Sequence, residues 1–185
     1  MDITQMEYVA SQFTTSNVTL RCIESSQINR FPKKIRKKID IFIVLTSFDK
    51  TKTFGHYLLF ARTEKEIMYY DPLGFTLDFY KDEHIKTFLR RHKSRSQISV
   101  GMQTQDYSSL TCGLHNLYFS LLLCKYMRLR KAMSKLKQSM TKNYLQNDKR
   151  IVKYFYRNFN MPDICIKLFC DENEGSKANC KTVCF

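Results

Sequence analysis

The chain has 185 residues, of which 43% are hydrophobic and 14% aromatic, so it is long enough for one globular domain and too apolar for a disordered protein. Its 31 Lys and Arg residues exceed its 17 Asp and Glu residues, and the net charge of +14 indicates a polyanionic partner such as DNA, or else a solvated basic surface. No apolar run reaches the length of a membrane span and no basic and apolar leader opens the chain, so we expect a soluble protein that is neither exported nor membrane-bound.

The first half of the chain is predicted to contain one helix and three strands. The helix is expected over residues 4–13, and an irregular stretch follows as far as Pro32. Three β-rich apolar runs then predict core strands, at residues 39–45, 56–61 and 66–70. A short polar link joins the second and third runs and suits a hairpin, and the Asp-Pro-Leu-Gly-Phe sequence at 71–75 is typical of a turn.

The second half is predicted to be mostly helical. An amphipathic helix is expected over residues 82–92, a strand over 97–103, and a helix that is apolar on nearly all sides over 112–129. Basic helices follow, and the tail at 170–185 is expected to be irregular. Helices at both ends with strands between them predict a single α+β domain over residues 1–185, in which the apolar central helix packs on a mixed sheet.

Cys112 is a candidate nucleophile because it stands where a loop enters the apolar helix. A thiol at a helix N-terminus lies at the positive end of the helix dipole, which favours the thiolate, and the free amides of the first turn can bind an oxyanion. Gly113 is expected to leave room for a substrate backbone. A cysteine beside a glycine is also common in plain core packing, so catalysis requires partners elsewhere in the chain.

Two residues of the predicted hairpin are candidate partners for Cys112. A cysteine nucleophile needs an imidazole as general base and a third group that orients the ring. His56 begins one strand and Asp71 follows the end of the next, so antiparallel pairing would bring them together. Gln105, in the loop before Cys112, is a candidate donor to the oxyanion. Each residue also has an ordinary alternative, as a structural histidine, a turn aspartate or a solvated loop glutamine.

The order His56, Asp71, Gln105, Cys112 resembles that of the adenovirus maturation proteases, an adenain-like family of cysteine proteases related to the SUMO-specific proteases. The surrounding motifs are similar as well: Gly-His-Tyr at 55–57, Tyr-Asp-Pro-Leu-Gly-Phe at 70–75, Leu-Arg-Arg at 89–91, Gln-Thr-Gln at 103–105, Cys-Gly-Leu at 112–114 and Asn-Arg-Phe-Pro at 29–32. The resemblance covers residues 1–125 and continues beyond them only in outline. It implies a papain-like/adenain-like fold in which Cys112 attacks the substrate, His56 transfers the proton, Asp71 orients the ring and Gln105 helps to hold the oxyanion.

The chain also departs from the family pattern. The adenoviral enzyme has Glu in place of Asp71 and Trp in place of Tyr57, and Asp is typical of the cellular SUMO and ubiquitin-like proteases. The family's activating peptide is joined by a disulfide to a cysteine whose place is taken here by Ser94, so a peptide activator would not be linked in that way. Seven cysteines without an export signal predict reduced thiols. The spacing of the four in the tail fits zinc poorly, so we expect structural or incidental thiols and no metal site: Cys165, Cys170, Cys180 and Cys184.

The resemblance implies a viral cysteine endopeptidase that cleaves virion precursor proteins at Gly-containing sites. It implies DNA and a viral peptide as activators, no cofactor for the chemistry itself, and a location in the virion and the host nucleus; we expect a monomer. Two alternatives stay open: a deSUMOylase or deubiquitinase of the same fold, and a non-catalytic basic DNA-binding virion protein. Basic side chains on two predicted helices are candidate phosphate contacts: Lys86, Arg90, Arg91, Lys93, Arg128, Arg130, Lys131 and Lys135.

Overall fold

The computed structural model describes residues 1–47 and 55–161 and, beyond them, the backbone of two short strands. Its helices are α1 (Ile3–Ser11), α2 (Leu77–Tyr80), α3 (Glu83–Arg91), α4 (Cys112–Tyr126), α5 (Leu129–Ser139) and α6 (Tyr144–Asn158), with a 3₁₀ helix at Ser25–Arg30. Its strands are β1 (Val18–Glu24), β2 (Ile39–Ser47), β3 (Gly55–Arg62), β4 (Glu66–Tyr70), β5 (Ser96–Ser99), β6 (Ile166–Cys170) and β7 (Cys180–Val183).

A five-stranded mixed sheet, in the order β1-β2-β3-β4-β5, forms the centre of the fold. The outer pairs, β1 with β2 and β4 with β5, are parallel, whereas the inner pairs are antiparallel. The β3–β4 hairpin pairs Leu59 with Tyr70 and Arg62 with Ile67, so the start of β3 and the end of β4 lie at the same edge of the sheet. The predicted α+β class, with a central helix on a mixed sheet, is confirmed.

Helices cover both faces of the sheet because the central strands are apolar on both sides. In β2, Ile41 and Ile43 belong to the core beneath α4, while Phe42 and Val44 belong to the core beneath α3 and the 3₁₀ helix. Strands buried on both faces have continuous apolar runs, as β2 does. Helix α4 is buried on nearly all sides since it packs on β3 and also on α1, α5 and α6.

The stretch before Pro32, predicted to be irregular, contains β1 and the 3₁₀ helix. Strand β1 pairs in parallel with β2, from Val18 opposite Ile39 to Glu24 opposite Leu45. Val18, Leu20 and Cys22 alternate with Thr19 and Arg21, which is a strand pattern that the prediction of an irregular stretch overlooked. The backbone pairing with β2 extends this short pattern into a strand of the sheet.

A predicted strand and a predicted helix in the second half of the chain end well before the residues that the sequence suggested. The strand predicted over 97–103 ends at Ser99, shortly before Gly101, whose φ is +53°. The helix predicted over 112–129 ends at Tyr126, because Met127 adopts a left-handed conformation with φ +53° and caps α4. A left-handed residue directly after the last helical turn is a common helix terminus.

The tail, expected to be irregular over 170–185, includes strand β7, which pairs antiparallel with β6. In this pairing Cys170 lies opposite Cys180 in the backbone register, while Cys165 and Cys184 lie outside the described residues. No helix in the described part of the chain is both long enough and apolar enough to cross a bilayer.

Candidate active site

His56 lies at the start of β3, almost completely buried, with 2% of its surface exposed. Its Nε2 atom is 2.7 Å from Oδ1 of Asp71. The imidazole ring also stacks on the ring of Tyr80, with centroids 5.9 Å apart and planes 7° from parallel. The ring is thus fixed both at its edge and on its face, and it also forms a hydrogen bond with Cys112.

Asp71 is held by four donors where β4 enters the following turn. Oδ1 accepts from His56 and from the Leu73 amide at 2.8 Å, and Oδ2 accepts from the Phe75 amide at 3.0 Å and the Tyr80 hydroxyl at 2.6 Å. The turn at 71–75 therefore folds around the carboxylate. A carboxylate with this many donors is an efficient, rigid orienting group for a histidine.

Tyr80 is a site residue that the sequence analysis missed. It lies at the end of α2, a helix of only four residues, and both stacks on His56 and donates to Asp71. The desolvation of its buried hydroxyl and the nearby Asp71 charge raise its pKa, so it stays a donor. Its sequence context, Leu-Asp-Phe-Tyr, carries no signal for this role because the contacts depend on where the short helix packs.

Cys112 is the first residue of α4, and its side chain is half-buried. Burial alone would raise the pKa of its thiol. The hydrogen bond to His56, the charge of that ring and the backbone amides of Tyr57 and Gly113 outweigh burial and lower the pKa. The free amides of the first helical turn also contribute to a favourable environment for a thiolate, because the Thr111 side chain does not cap them.

His56 has the complementary pKa shift. Burial alone would lower its pKa, but the hydrogen bonds to Asp71 and Cys112 and the charges of both groups raise it to about 9. At neutral pH the two shifts together favour a Cys112 thiolate paired with a His56 imidazolium. Cys112 is thus a nucleophile that is already deprotonated, and His56 is an acid that already carries the proton to be transferred.

Asn116, one turn into α4, links the two elements that carry His56 and Cys112. Its side-chain amide donates to the Tyr57 carbonyl at 2.6 Å and to the Cys112 carbonyl at 3.0 Å. No local pattern in the sequence indicates this role, because an asparagine inside a helix has no distinctive context. It fixes the distance between the start of β3 and the start of α4.

Gln105 lies in the loop that leads to α4, with 2% of its surface exposed. Its backbone amide donates to the Pro72 carbonyl at 3.0 Å, and Nε2 donates to the Ser109 carbonyl at 2.7 Å. Oε1 is buried and has no hydrogen-bond partner among the described residues. It is therefore a held side chain, which differs from the solvated loop glutamine considered as the alternative.

Gly113 has a packing role that was not expected, while the clearance for a substrate backbone stays a prediction. A Cβ atom at this position would lie 3.1 Å from the Met6 sulfur and 3.7 Å from Cδ2 of Tyr57. The glycine thus allows α1 to approach the start of α4 closely. The packing role could not be read from the local sequence, because it depends on the position of α1.

Within residues 1–47 and 55–161, no cluster of three or more His, Cys, Asp or Glu side chains could hold an ion. Cys22, Cys112 and Cys124 are free thiols. Burial raises the pKa of Cys22 to about 12 and that of Cys124 to about 11, opposite to the shift at Cys112.

Solved structures of partly similar shape include HopZ1a, ChlaDub1 and AvrA. HopZ1a in complex with IP6 and CoA has 12% identity to this chain and a TM-score of 0.48. The match covers 85% of this chain and 53% of the HopZ1a chain, so this chain spans about half the length of HopZ1a. ChlaDub1 from Chlamydia trachomatis has 12% identity, a TM-score of 0.48 and coverages of 84% and 74%. AvrA delL154 with IP6 and CoA has 12% identity, a TM-score of 0.46 and coverages of 80% and 55%.

No protein-family model matches the sequence, and no curated protein matches it. At these levels of similarity the functional assignment depends on the geometry of the site itself.

Proposed function

We propose that this protein is a cysteine endopeptidase of the papain-like/adenain-like type, with Cys112 as nucleophile and His56 as general acid and base. One observation carries the proposal: a thiol with a lowered pKa at a helix start is hydrogen-bonded to a buried histidine that lies 2.7 Å from a carboxylate. Three residues distant in sequence are arranged as nucleophile, base and orienting acid, which is the arrangement that acyl transfer requires.

The proposed reaction begins with attack of the Cys112 sulfur on the scissile carbonyl carbon, which forms a C–S bond and an oxyanion. His56 gives its Nδ1 proton to the amide nitrogen as the C–N bond breaks, so the amine leaves and a thioester remains. Water then attacks the thioester while His56 takes its proton. The C–S bond breaks, the carboxylic acid leaves, and the thiolate–imidazolium pair is restored. Asp71 keeps the ring in one orientation throughout.

Gln105 and the Cys112 backbone amide are the proposed donors to the oxyanion. The Nε2 group of Gln105 carries two hydrogens, and the Ser109 carbonyl takes one of them. The other remains for the substrate. A donor that is fixed before the reaction stabilises the developing charge without reorganising, which is why a held glutamine suits this role.

The substrate is proposed to be a polypeptide that contacts apolar side chains around the site. The described part of the chain has four large apolar side chains that are well exposed, and three of them lie in segments flanking Asp71 and Cys112: Phe79, Tyr107 and Leu110. Phe79 stacks on Phe75, whose ring is also 5.7 Å from that of Tyr107. Exposed aromatic clusters of this kind are typical of interaction surfaces.

The proposed biological role is maturation of virion precursor proteins at Gly-containing sites, in the virion and the host nucleus. The motif resemblance at 55–57, 70–75, 103–105 and 112–114 supports it. A viral peptide activator bound without a disulfide at Ser94 belongs to the same proposal, as does a monomeric enzyme.

The test is to incubate the protein with candidate virion precursors, with and without DNA, and with peptide, SUMO and ubiquitin probes that carry a thiol-reactive group. The proposal expects labelling by the peptide probe at Cys112 and precursor cleavage, both lost in Cys112→Ala. Preferential labelling by SUMO or ubiquitin would support the deconjugating protease instead. DNA binding without any labelling would support the non-catalytic virion protein.

A second proposed function is DNA binding through a basic groove between the loop before β2 and the start of α5. Five cations and two carboxylates are among the residues that line it: Arg36, Lys37, Lys38, Lys65, Arg130, Glu64 and Glu66. Arg130 pairs with Glu66 at 2.9 Å. The other four cations of the groove then outnumber its one remaining carboxylate, Glu64, so positive charge is in excess. Backbone phosphates are the ligands that such a surface attracts without sequence preference.

Helix α3 is a weaker candidate than its sequence suggested. Lys86 and Arg90 lie 2.7 and 3.2 Å from the carboxylate of Glu83, and Arg91 donates to the backbone carbonyls of Asn29 and Phe31. These cations already have partners within the protein. The groove and α3 can therefore be compared directly.

The comparison uses two triple variants with equal changes in charge. Lys37→Glu, Lys38→Glu and Lys65→Glu should weaken DNA binding and reduce the slope of log affinity against log salt by about 0.9 per lost phosphate contact. The control variant, Lys86→Glu, Arg90→Glu and Lys93→Glu, should change both much less. Equal losses in the two variants would show that net charge, and not the groove, is responsible.

A further inference from the structure

A buried polar network lies directly behind the candidate site and includes no proposed catalytic residue. Its centre is a second histidine–aspartate pair: Nε2 of His115 on α4 is 2.7 Å from Oδ1 of Asp148 on α6. Both residues are 0% exposed. Thr111 donates to the same Asp148 oxygen at 2.8 Å, and the Asp106 amide donates to the other oxygen at 3.1 Å.

The network continues from His115 towards the sheet. Nδ1 of His115 is 2.9 Å from Oγ1 of Thr104, and that oxygen is 2.5 Å from the Tyr70 hydroxyl. Because the Asp148 carboxylate can only accept, Nε2 of His115 carries the hydrogen and Nδ1 accepts from Thr104; Thr104 in turn accepts from Tyr70. Burial lowers the pKa of His115 against the influence of Asp148, in agreement with this neutral tautomer.

The sequence positions of the network residues relate them to the reaction. Tyr70 immediately precedes Asp71, Thr104 immediately precedes Gln105, and Thr111 immediately precedes Cys112. The hydrogen bonds therefore link the residue before each of these three site residues to the His115–Asp148 pair. Neighbouring residues of a chain move together, so this pair can fix the relative positions of all three.

The loop that carries Gln105 receives the most support from α6. Asp148 binds the Asp106 amide just after Gln105, and Asn147 donates to the Thr104 carbonyl at 3.1 Å just before it. The carbonyl that accepts from the Gln105 side chain belongs to Ser109, whose hydroxyl is 2.9 Å from that of Thr111. Backbone and side chain of Gln105 are thus both held through Asp148.

We propose that His115 and Asp148 are positioning residues that hold the Gln105 loop against the start of α4 and so set the geometry of the oxyanion site. The inference rests on the proposed protease function. A displacement of about 1 Å in a catalytic group can cost on the order of 10²-fold in rate, which gives the network a kinetic role separate from stability.

Asp148→Asn is the principal variant, because it keeps the size of the side chain. Its Oδ1 can still accept from His115 and Thr111, but its NH₂ group would face the Asp106 amide, donor against donor, and release the loop. Thr111→Val removes the hydroxyl that binds Asp148, and Thr111→Ser restores it. Since the Thr111 side chain does not cap α4, this pair of variants leaves the helix terminus unchanged.

Two rates distinguish an effect on the geometry of the oxyanion site from an effect on the reactivity of the Cys112 thiolate. Alkylation by iodoacetamide needs the Cys112 thiolate but forms no oxyanion, whereas peptide cleavage needs both. Asp148→Asn and Thr111→Val should lower kcat by on the order of 10²-fold, as loss of one oxyanion donor does, with KM and the alkylation rate unchanged. Thr111→Ser should recover the rate. Combining Asp148→Asn with Gln105→Ala should cost little more than either change alone, since both remove the same interaction.

A matched control is His92→Gln, which changes a histidine of equal burial at the end of α3, in contact with Arg62 and Arg95. It should lower the melting temperature without changing kcat. Hydrogen exchange at the Asp106 amide should accelerate in Asp148→Asn and not in His92→Gln. This measurement tests whether Asp148 holds the Gln105 loop, and it does not depend on peptide cleavage. If the wild-type protein cleaves no peptide, the proposed protease function is overturned, but the hold of Asp148 on the loop is not. Unchanged kcat and unchanged exchange in Asp148→Asn, or cleavage and alkylation falling together, would overturn the positioning role.

Discussion

The two buried histidine–aspartate pairs have the same contact and opposite electrostatics. In each, Nε2 of the histidine is 2.7 Å from Oδ1 of the aspartate, and both partners are almost fully removed from solvent. Yet the pKa of His56 is raised to about 9, whereas that of His115 is lowered. The contact with an aspartate therefore does not by itself decide the protonation state.

The third neighbour accounts for the difference. His56 lies between two groups that carry negative charge, Asp71 and the Cys112 thiolate, so its protonated form is favoured despite burial. His115 has Asp148 on one side and only the Thr104 hydroxyl on the other, so burial outweighs the influence of Asp148. A histidine–aspartate pair becomes a proton-transfer site when a reacting group completes it, and otherwise serves as a structural hydrogen bond.

The largest expected effect comes from removing the thiol. Cys112→Ala should abolish proteolysis, and His56→Ala should be nearly as damaging, with a double variant no worse than Cys112→Ala alone because both residues act in one step. Cys124→Ala, which removes a buried thiol from the same helix, is the matched control and should retain the wild-type kcat. Cleavage by Cys112→Ala at the wild-type rate would remove the catalytic side of the comparison.

Asp71→Asn should separate the two pairs more finely. An amide cannot accept from all four donors that surround Asp71, so His56 would lose its fixed orientation. We expect kcat to fall on the order of 10³-fold, within the range of general acid–base effects, and the iodoacetamide rate to fall with it. In Asp148→Asn only the cleavage rate should fall. If the two aspartate variants lower both rates alike, the pairs do not differ in role.

Tyr80→Phe should have a smaller effect, because it removes one of four donors to Asp71 and keeps the ring that stacks on His56. A hydrogen bond to a charged group contributes about 1.5–3 kcal/mol, so a loss of roughly ten- to a hundredfold in kcat is expected. Tyr118→Phe is a suitable control, since it removes a hydroxyl from a partly buried tyrosine of α4 that packs against Tyr154 of α6. Equal losses would indicate that the effect of Tyr80→Phe does not come from the contact with Asp71.

The smallest effects are in titration and stability. In NMR titrations the His56 ring should change protonation near pH 9, and Cys112→Ala should lower that pKa by removing the thiolate, while leaving His115 unaffected. A lowered pKa at His115 means that the unfolded chain binds a proton that the native state does not, so its contribution to stability is complete above about pH 6.5 and is lost as the pH falls.

Urea unfolding between neutral and mildly acidic pH measures this linkage. His115→Gln should lose less stability than wild type on acidification, whatever its stability at neutral pH. An unchanged slope in His115→Gln would mean that this histidine is not held neutral.

Local patterns in the sequence identified the hairpin and the buried helix that carry the site. The apolar runs in β2, β3 and β4 and the all-round apolar α4 are local signals, and the short link between β3 and β4 required His56 and Asp71 to be near one another. Cys112 could be recognised as a candidate nucleophile because the apolar pattern of α4 also shows where that helix begins. The catalytic roles of His56, Asp71, Gln105 and Cys112 stay predictions that the variants above address.

Only the tertiary structure decided which other residues support the site. Tyr80 reaches Asp71 from a four-residue helix, Gly113 makes room for Met6, and Asp148 meets His115 and Thr111 across 33 and 37 residues of chain. No periodicity or motif in the sequence indicates these contacts, because each depends on how α1, α2 and α6 pack against α4 and the sheet. Hydrophobic burial sets that packing without direction, and the polar partners then follow from the positions that it imposes.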